Sequence, residues 1–233
     1  MGGPRQDAIR FLRGRHALVS MAHPEDMGAV ADACQSFVLD NGAFSVWKSG
    51  GVLQVDAYMQ WVEEWHRHPG FDWALIPDVI EGDEEENDAL LAQWPSHLRG
   101  VPVWHLHESL DRLSRLAREW PTVALGSSGA WSTPNSAAWW LRMTVVMEHL
   151  CDEHGRPPCR LHGLRMLDPE VFSRLPLASA DSTNAAVNSG SLSRFGIYLP
   201  PTASQRAAVI ADRIESVNSA AVFQRTHQKD LFS

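Results

Sequence analysis

The chain has 233 residues, three cysteines and a formal net charge of −8 at pH 7. It is long enough to bury a substantial core, and its cysteines are too few for a disulfide framework. The acidic balance does not favour a protein that coats nucleic acid with its whole surface, although a local groove can still be basic. The few cysteines fit a reducing cytoplasm, and no run of 18 apolar residues predicts a membrane span, so we expect a cytoplasmic protein.

Short apolar runs alternate along the chain with helix-like segments. The predicted strands are Ala17–Met21, Phe37–Asp40, Trp73–Pro77, Val101–Leu106, Val123–Gly126, Arg160–Leu164, Leu177–Asp181 and Phe195–Leu199. The predicted helices are Val55–His66, Asp83–Trp94, Leu110–Trp120, Ser136–Leu150 and Ala203–Asn218. This alternation indicates βαβ units with parallel strands, and eight strands in this length favour a single-domain (β/α)8 TIM-like barrel over residues 1–233. We expect residues 1–15 and 224–233 to be loose ends.

Polar side chains follow the ends of the predicted strands, which is the face that carries the active site in such barrels. The set is His23, Asp40, Asp78, His105, His107, the turn Gly126–Gly129, His162 and Asp181. The two aspartates Asp40 and Asp181 can also have purely structural roles, since Asp40 can begin an Asx turn and Asp181 can cap a following turn. Two carboxylates among so many polar residues on one rim nevertheless favour an enzyme over a binding module.

Four of these strand-end segments occur in the order of the motifs of one enzyme family. Residues 40–46, Asp-Asn-Gly-Ala-Phe-Ser-Val, resemble the Asp-Ser-Gly-Gly-Phe-Gln-Val motif of the tRNA-guanine transglycosylases. Residues 124–128 are similar to the Ile-Gly-Gly-Leu turn of that family. Residues 161–164 and 168–170 are similar to its Leu-Met-Gly-Val-Gly segment and the trailing Pro-Glu-Asp. Residues 181–185 resemble the segment that begins with its nucleophilic aspartate, so the resemblance covers roughly residues 37–190.

The resemblance implies a base exchange at C1′ of a nucleotide through a covalent aspartyl-glycosyl intermediate. Asp181 is then the nucleophile and Asp40 the general acid/base. Asp78 accepts from the N1–H and N2–H donors of guanine, and Phe44 stacks on the base. The other implied substrate-binding groups are Asn41, His107 near a family glutamine, the backbone N–H groups of Gly126 and Ser127, and His162 where the family has methionine.

The chain departs from the tRNA enzymes because it has no cysteine after Cys159, whereas they carry a zinc site of three cysteines and a histidine after the nucleophile. A compact chain without the zinc subdomain resembles the phage-type branch, which exchanges guanine for 7-deazaguanines in DNA. We therefore expect no metal or cofactor, and DNA and a free 7-deazaguanine base as partners, in a host cytoplasm if the chain is phage-encoded. The target guanine is single-stranded or flipped, and Arg165, Arg174 and Arg194 are candidate phosphate contacts. A homodimer or a partner protein stays open.

Several alternatives stay open at this point. The same exchange on tRNA is one. Another is a metal-dependent, amidohydrolase-like barrel hydrolase with ligands from His105, His107, His23 and Asp181. A compact zinc pattern formed by Cys151, His154, Cys159 and His162 is a third. A binding-only protein on a degenerate barrel is less favoured, because both Asp40 and Asp181 are present.

Overall fold

Short parallel strands form two four-stranded sheets in the computed structural model, which describes residues 4–182 and 200–225. The first sheet has the order β1 (His16–Ser20), β2 (Ser36–Asp40), β3 (Phe71–Leu75) and β4 (Gly100–Val101). The second has the order β5 (Val103–His105), β6 (Thr122–Gly126), β7 (Arg160–Gly163) and β8 (Ser179–Ala180). Strand order follows chain order in both sheets, so the predicted α/β class with parallel strands is confirmed. The predicted strand Phe195–Leu199 lies outside the described residues.

Helices fill most of the connections between the strands. They are α1 (Pro4–Leu12), α2 (Met27–Ala33), α3 (Ala43–Ser49), α4 (Val55–Trp65), α5 (Glu84–Ala92), α6 (Leu110–Glu119), α7 (Ala137–Leu150), α8 (Pro169–Phe172) and α9 (Ala203–Glu215). Side-chain caps set several of their starts. Asp83 accepts a hydrogen bond from the Glu86 N–H at α5, Ser109 from the Arg112 N–H at α6, and Ser136 from the Trp139 N–H at α7.

Pro102 divides the predicted strand Val101–Leu106 into β4 and β5. Proline has no N–H to donate to a sheet ladder, so a strand interrupted by it pairs as two short pieces. The part before Pro102 pairs with β3, with Leu75 opposite Val101. The part after it is hydrogen-bonded to β6, where the Leu106 N–H continues the ladder to the Gly126 carbonyl at 3.0 Å.

The chain forms two compact units. The first consists of residues 4–103 and 200–213, and the second of residues 104–182 and 214–225. In the first unit, Leu39 and Ala74 are fully buried in adjacent strands. In the second, α6 buries Leu113 and Leu116 completely while its opposite face is charged, which is the pattern of an amphipathic helix packed on a core. No helix in the described parts of either unit combines the length and apolar character that crossing a membrane requires.

The N-terminal segment differs from the expected loose end, because α1 occupies residues 4–12. The residues that follow α1 are also held in place by contacts with other parts of the first unit. The Gly14 N–H donates to the Ala33 carbonyl at 3.1 Å, and Arg15 forms an ion pair with Asp212 at 2.7 Å. At the other end, Arg225 donates to the Cys151 carbonyl at 3.1 Å, and residues 226–233 lie outside the described part of the chain.

Candidate functional site

Asp40 stands at the carboxyl end of β2 and forms the Asx turn that its sequence context allows. Its Oδ2 accepts a hydrogen bond from the Gly42 N–H at 3.2 Å, and Gly42 has a φ of +78°. A Cβ at position 42 would lie 3.3 Å from the Ala22 nitrogen, so the turn is tight as well as left-handed. The side chain of Asp40 is half-buried at the rim of the first sheet. The Asx turn thus fixes one oxygen of the carboxylate for which the resemblance implies an acid/base role.

Asn41 joins the ends of β2 and β3 and orients Asp78. Its side-chain amide donates to Oδ1 of Asp78 at 2.8 Å and to the Ile76 carbonyl at 3.2 Å. Its Oδ1 accepts from the Ala43 N–H at 2.7 Å, so the same side chain also holds the first residue of α3. Asn41 is 2% exposed and Asp78 is 7% exposed. The structure therefore brings Asp40, Asn41 and Asp78 to one edge of the first sheet.

Tyr58 supports the same edge from α4. The phenol hydroxyl lies 2.8 Å from the Leu75 carbonyl and 3.1 Å from the Leu39 carbonyl, the last residues before the Asp78 loop and before Asp40. Burial raises the pKa of the Tyr58 phenol well above its usual range, and the nearby carboxylates of Asp40 and Asp78 raise it further. The neutral Tyr58 hydroxyl thus contacts the carbonyls at the ends of β2 and β3, near the carboxylates of Asp40 and Asp78. The sequence reading did not identify Tyr58, although its spacing from Trp61 and Val62 places it on the buried face of α4.

Phe44 lies at the start of α3 and is partly exposed. It retains 39% of its surface, and Trp47 one turn later retains 44%. The two ring centroids are 5.8 Å apart with a 35° tilt between the ring planes. This accessible aromatic pair follows directly on the Asp40 turn, and Phe44 is the residue for which the resemblance implies stacking on a base.

Asp181 follows β8 in the second unit, and protein groups contact its Oδ1. That oxygen accepts a hydrogen bond from the Arg165 N–H at 3.0 Å and lies 3.4 Å from Nε2 of His162. Arg165 has a φ of +61°, a left-handed conformation that turns its N–H toward the carboxylate. The side chain of Asp181 is 20% exposed. Two adjacent parallel strand ends therefore deliver an oriented, accessible carboxylate and a histidine.

His162 is bonded on its other side to Ser179. Its Nδ1 lies 2.8 Å from the Ser179 hydroxyl, and the side chain is 2% exposed. Within β7 and β8, His162 and Ser179 occupy paired register positions, which explains why the two side chains meet. Ser179 is a further site residue that sequence reading missed, because only the register of the two strands places it opposite His162.

His107 lies after β5 beside the turn that follows β6. Its Nδ1 is 2.7 Å from the hydroxyl of Ser128, which is 1% exposed. The Ser127 hydroxyl accepts from the Trp139 indole N–H at 2.9 Å, and the Gly126 carbonyl accepts from the Leu106 N–H at 3.0 Å. The Gly126–Gly129 turn is therefore held on both sides, and His107 is attached to it.

A buried ion pair supports the loop after β5. Arg112 and Glu108 approach to 2.7 Å with side chains 2% and 0% exposed, and the Glu108 carboxylate also accepts from the His105 N–H at 2.9 Å. Arg142 donates to the Leu106 and Glu108 carbonyls, both at 2.8 Å. The i,i+4 spacing of Glu108 and Arg112 is the sequence signal for this pair.

The structure does not group the residues of the metal-based alternatives into a ligand set. Among residues 4–182 and 200–225, no three histidine, cysteine, aspartate or glutamate side chains are arranged to hold a metal ion. His162 contacts Ser179 and Asp181, as described above. Burial raises the pKa values of the Cys151 and Cys159 thiols to about 11, with a smaller rise from Asp152 at Cys151.

The candidate phosphate contacts have different surroundings. Arg165 is exposed, and its backbone N–H serves Asp181. The Arg174 guanidinium stacks 5.3 Å from the centroid of Trp140, and Arg194 lies outside the described residues.

Comparisons of the chain with protein-family models, with curated proteins and with solved structures find no match.

Proposed function

We propose that this chain is a base-exchange glycosyltransferase that replaces guanine in DNA with a 7-deazaguanine. The observation that carries the proposal is the Asp181 carboxylate, which stands at a strand end with Oδ1 contacted by Arg165 and His162 and with part of its surface exposed. A carboxylate nucleophile needs such an orientation toward a sugar carbon. The ordered resemblance to the guanine transglycosylases supplies the reaction and the base.

In the first half-reaction, an oxygen lone pair of Asp181 forms a bond to C1′ of the nucleotide while the C1′–N9 bond breaks. The electron pair of the broken bond leaves on guanine, which takes the proton of the Asp40 carboxylic acid. In the second half-reaction, N9 of the incoming deazaguanine bonds to C1′ and its proton passes to the Asp40 carboxylate. The ester to Asp181 breaks and returns a carboxylate. Two inversions give overall retention at C1′, as in retaining glycosidases.

In our proposal, base recognition falls to groups at strand ends. In our proposal, Asp78 accepts from the N1–H and N2–H donors of guanine, and its orientation by Asn41 supports this role. The N–H groups of Gly126 and Ser127 donate to O6, and His107 adds a polar contact beside that turn. Phe44 stacks on the base with its exposed ring.

We also propose that the strands belong to one (β/α)8 barrel. Both sheets keep chain order with parallel neighbours, and helices occupy most of the strand connections, which supports this architecture. In the proposed barrel, β4 and β5 are the two parts of one strand on either side of Pro102; the predicted strand Phe195–Leu199 lies outside the described residues. The C-terminal strand ends would then form the active face.

The deciding experiment offers the protein guanine-containing single-stranded DNA, duplex DNA and tRNA, each with a labelled 7-deazaguanine. We expect label in DNA with the wild type and with Asp111→Asn, whose carboxylate is exposed on α6, but not with Asp181→Asn. DNA is favoured because no cysteine ligands follow Asp181 among residues 182–233. Label found in tRNA and never in DNA would overturn the proposal that DNA is the polymer substrate. Label in neither overturns the function.

A further inference from the structure

One face of α3 carries two exposed aromatic rings. Phe44 and Trp47 are three residues apart, so their side chains project from the same face of the helix. Their exposed fractions are 39% and 44%, whereas Ala43 is buried and Val46 is half-buried. A contiguous exposed apolar surface marks a binding site more often than isolated exposed apolar residues do. The accessible face of α3 is therefore a candidate interaction surface.

The geometry of the two rings indicates how planar groups can bind to them. A base inserted between two rings needs parallel planes separated by twice the stacking distance of ~3.4 Å. The centroids of Phe44 and Trp47 are 5.8 Å apart and the planes are tilted by 35°, so each ring can carry a base only on its outer surface. Two bases held on centroids 5.8 Å apart are also too far from each other to stack at ~3.4 Å. The pair therefore fits unstacked nucleotides, which a single strand supplies and a duplex resists.

The charge of this segment differs from that of the whole chain. Residues 41–55 contain no aspartate or glutamate, although the chain has 28 acidic residues and a net charge of −8. Lys48 follows Trp47 directly and is exposed. A phosphate that passes along α3 meets a cation and no carboxylate from this segment. The local charge thus complements a nucleic-acid strand.

Backbone and side-chain hydrogen bonds hold both ends of α3. At the start, Oδ1 of Asn41 accepts from the Ala43 N–H at 2.7 Å. At the end, the Gly50 N–H donates to the Trp47 carbonyl at 3.2 Å, and Gly50 has a φ of +68°. The two rings are therefore carried by a helix that is closed before a strand arrives, which lowers the entropy cost of binding.

We propose that Trp47 stacks on the nucleotide next to the target guanine and that Lys48 contacts a neighbouring phosphate, so that the DNA is bound as a single strand. This rests on the proposed function, in which Phe44 stacks on the guanine itself. Asp40, the acid/base of that function, lies four residues before Phe44, so the two-ring surface is continuous with the proposed site. Every base has a π face, and Trp47 thus selects unstacked nucleotides rather than a particular sequence.

Fluorescence anisotropy of a labelled, guanine-containing oligonucleotide measures this binding without turnover. The measurement uses Asp181→Asn protein, so that no covalent bond to the strand forms. We expect Trp47→Ala to weaken the Kd for single-stranded DNA about 5- to 150-fold, the range for loss of one base–aromatic stack, and Trp47→Phe to keep most of the affinity. Lys48→Met should lower the slope of log Kd against log salt by about 0.7.

A matched control and a modified strand make the test specific. Leu141 on α7 is 74% exposed, and Leu141→Ala should leave the Kd unchanged. When abasic nucleotides flank the guanine on both sides, the proteins with Trp47 and with Trp47→Ala should bind equally, because the base that Trp47 contacts is missing. A Trp47→Ala Kd equal to that of the parent, an undiminished penalty on the abasic strand, or duplex bound as tightly as single strand would overturn the proposal.

The outcome is separable from that of the proposed function. In the exchange assay, we expect Trp47→Ala to raise KM for single-stranded DNA with little change in kcat or in KM for the incoming base. If no polymer accepts label but Trp47→Ala weakens binding, base exchange fails and the stacking surface stands. If DNA accepts label and Trp47→Ala binds like its parent, the stacking surface fails and base exchange stands.

Discussion

The Asn41 side-chain amide donates a hydrogen bond to Oδ1 of Asp78 across 2.8 Å, and both residues are almost completely buried. Asn41 follows β2 and Asp78 follows the neighbouring parallel strand β3, so this bond connects the two strand ends. It also orients the Asp78 carboxylate, which we propose binds guanine. The same amide serves the Ile76 carbonyl and the Ala43 N–H. Asn41 therefore supports Asp78 through a connected network rather than through one isolated contact.

Asn41→Ala should lower the free energy of unfolding by about 1–3 kcal/mol, because it leaves buried polar groups without their partner. The measurement is urea unfolding followed by circular dichroism. The matched control is Asn218→Ala, whose side chain is exposed and whose loss should change stability by less than about 0.5 kcal/mol. Equal midpoints for the two variants would contradict the role of Asn41.

Tyr58→Phe tests the hydroxyl that joins the two strand ends. Between pH 7 and 9, removal of the hydroxyl should cost about 1–3 kcal/mol, because two buried carbonyls lose a donor. Above pH 10, the sign of the pH dependence is determined by the raised pKa of the phenol. The unfolded chain then releases the Tyr58 proton while the native state keeps it, so wild-type stability falls as pH rises.

The measurement for Tyr58 is a pair of stability-against-pH curves. The wild-type curve should descend more steeply than the Tyr58→Phe curve above pH 10, and the two should be parallel below pH 9. Curves that stay parallel through pH 11 would show that Tyr58 has an ordinary pKa.

Arg112→Met should destabilise the second unit by about 3–5 kcal/mol, because it leaves the buried carboxylate of Glu108 without its cation. Arg115→Met is the matched control on the same helix. The Arg115 guanidinium lies 3.6 Å from the Glu119 carboxylate with side chains 36% and 52% exposed, and such solvent-accessible pairs contribute less than about 1 kcal/mol. Thermal unfolding of both variants checks the difference, and comparable losses would contradict it.

Local signals account for the elements that the sequence predicts well. The sequence predicts helices that begin at Asp83 and Ser136, and in the structure these two residues cap α5 and α7. In contrast, α3 follows the N-cap Gly42 with no side-chain cap bond and has few buried residues, so little in its sequence marks it. The division of one predicted strand at Pro102 depends on which neighbour each part pairs with, and a single sequence does not contain that information.

The candidate site also contains residues that local sequence signals reveal and residues that only the folded structure reveals. Asp40, Asp78 and Asp181 can be found from the sequence because each follows an apolar run, and the structure keeps all three at carboxyl ends of strands. The residues that contact these strand ends come from other elements. Tyr58 lies on α4, 17 residues before Leu75, and Ser179 lies on β8, the strand beside β7. Register and helix packing decide those contacts, and motifs do not report them.

Base exchange by the proposed route should be insensitive to chelators. We expect EDTA to leave label incorporation unchanged and elemental analysis to find no stoichiometric metal. The physical reason is that the carboxylates of Asp181 and Asp40 supply both the nucleophile and the proton transfer. Chelator-sensitive turnover with one metal per chain would favour the metal-dependent hydrolase instead.

Trapping of the covalent intermediate tests the nucleophile most directly. The protein is mixed with guanine-containing DNA in the absence of an incoming base, denatured, digested and analysed by mass spectrometry. The account predicts a DNA sugar attached to the peptide that contains Asp181, and no adduct with Asp181→Ala, while Asp111→Asn gives the wild-type adduct. An adduct on another residue, or an Asp181→Ala variant that still forms the adduct and exchanges bases, would contradict the account.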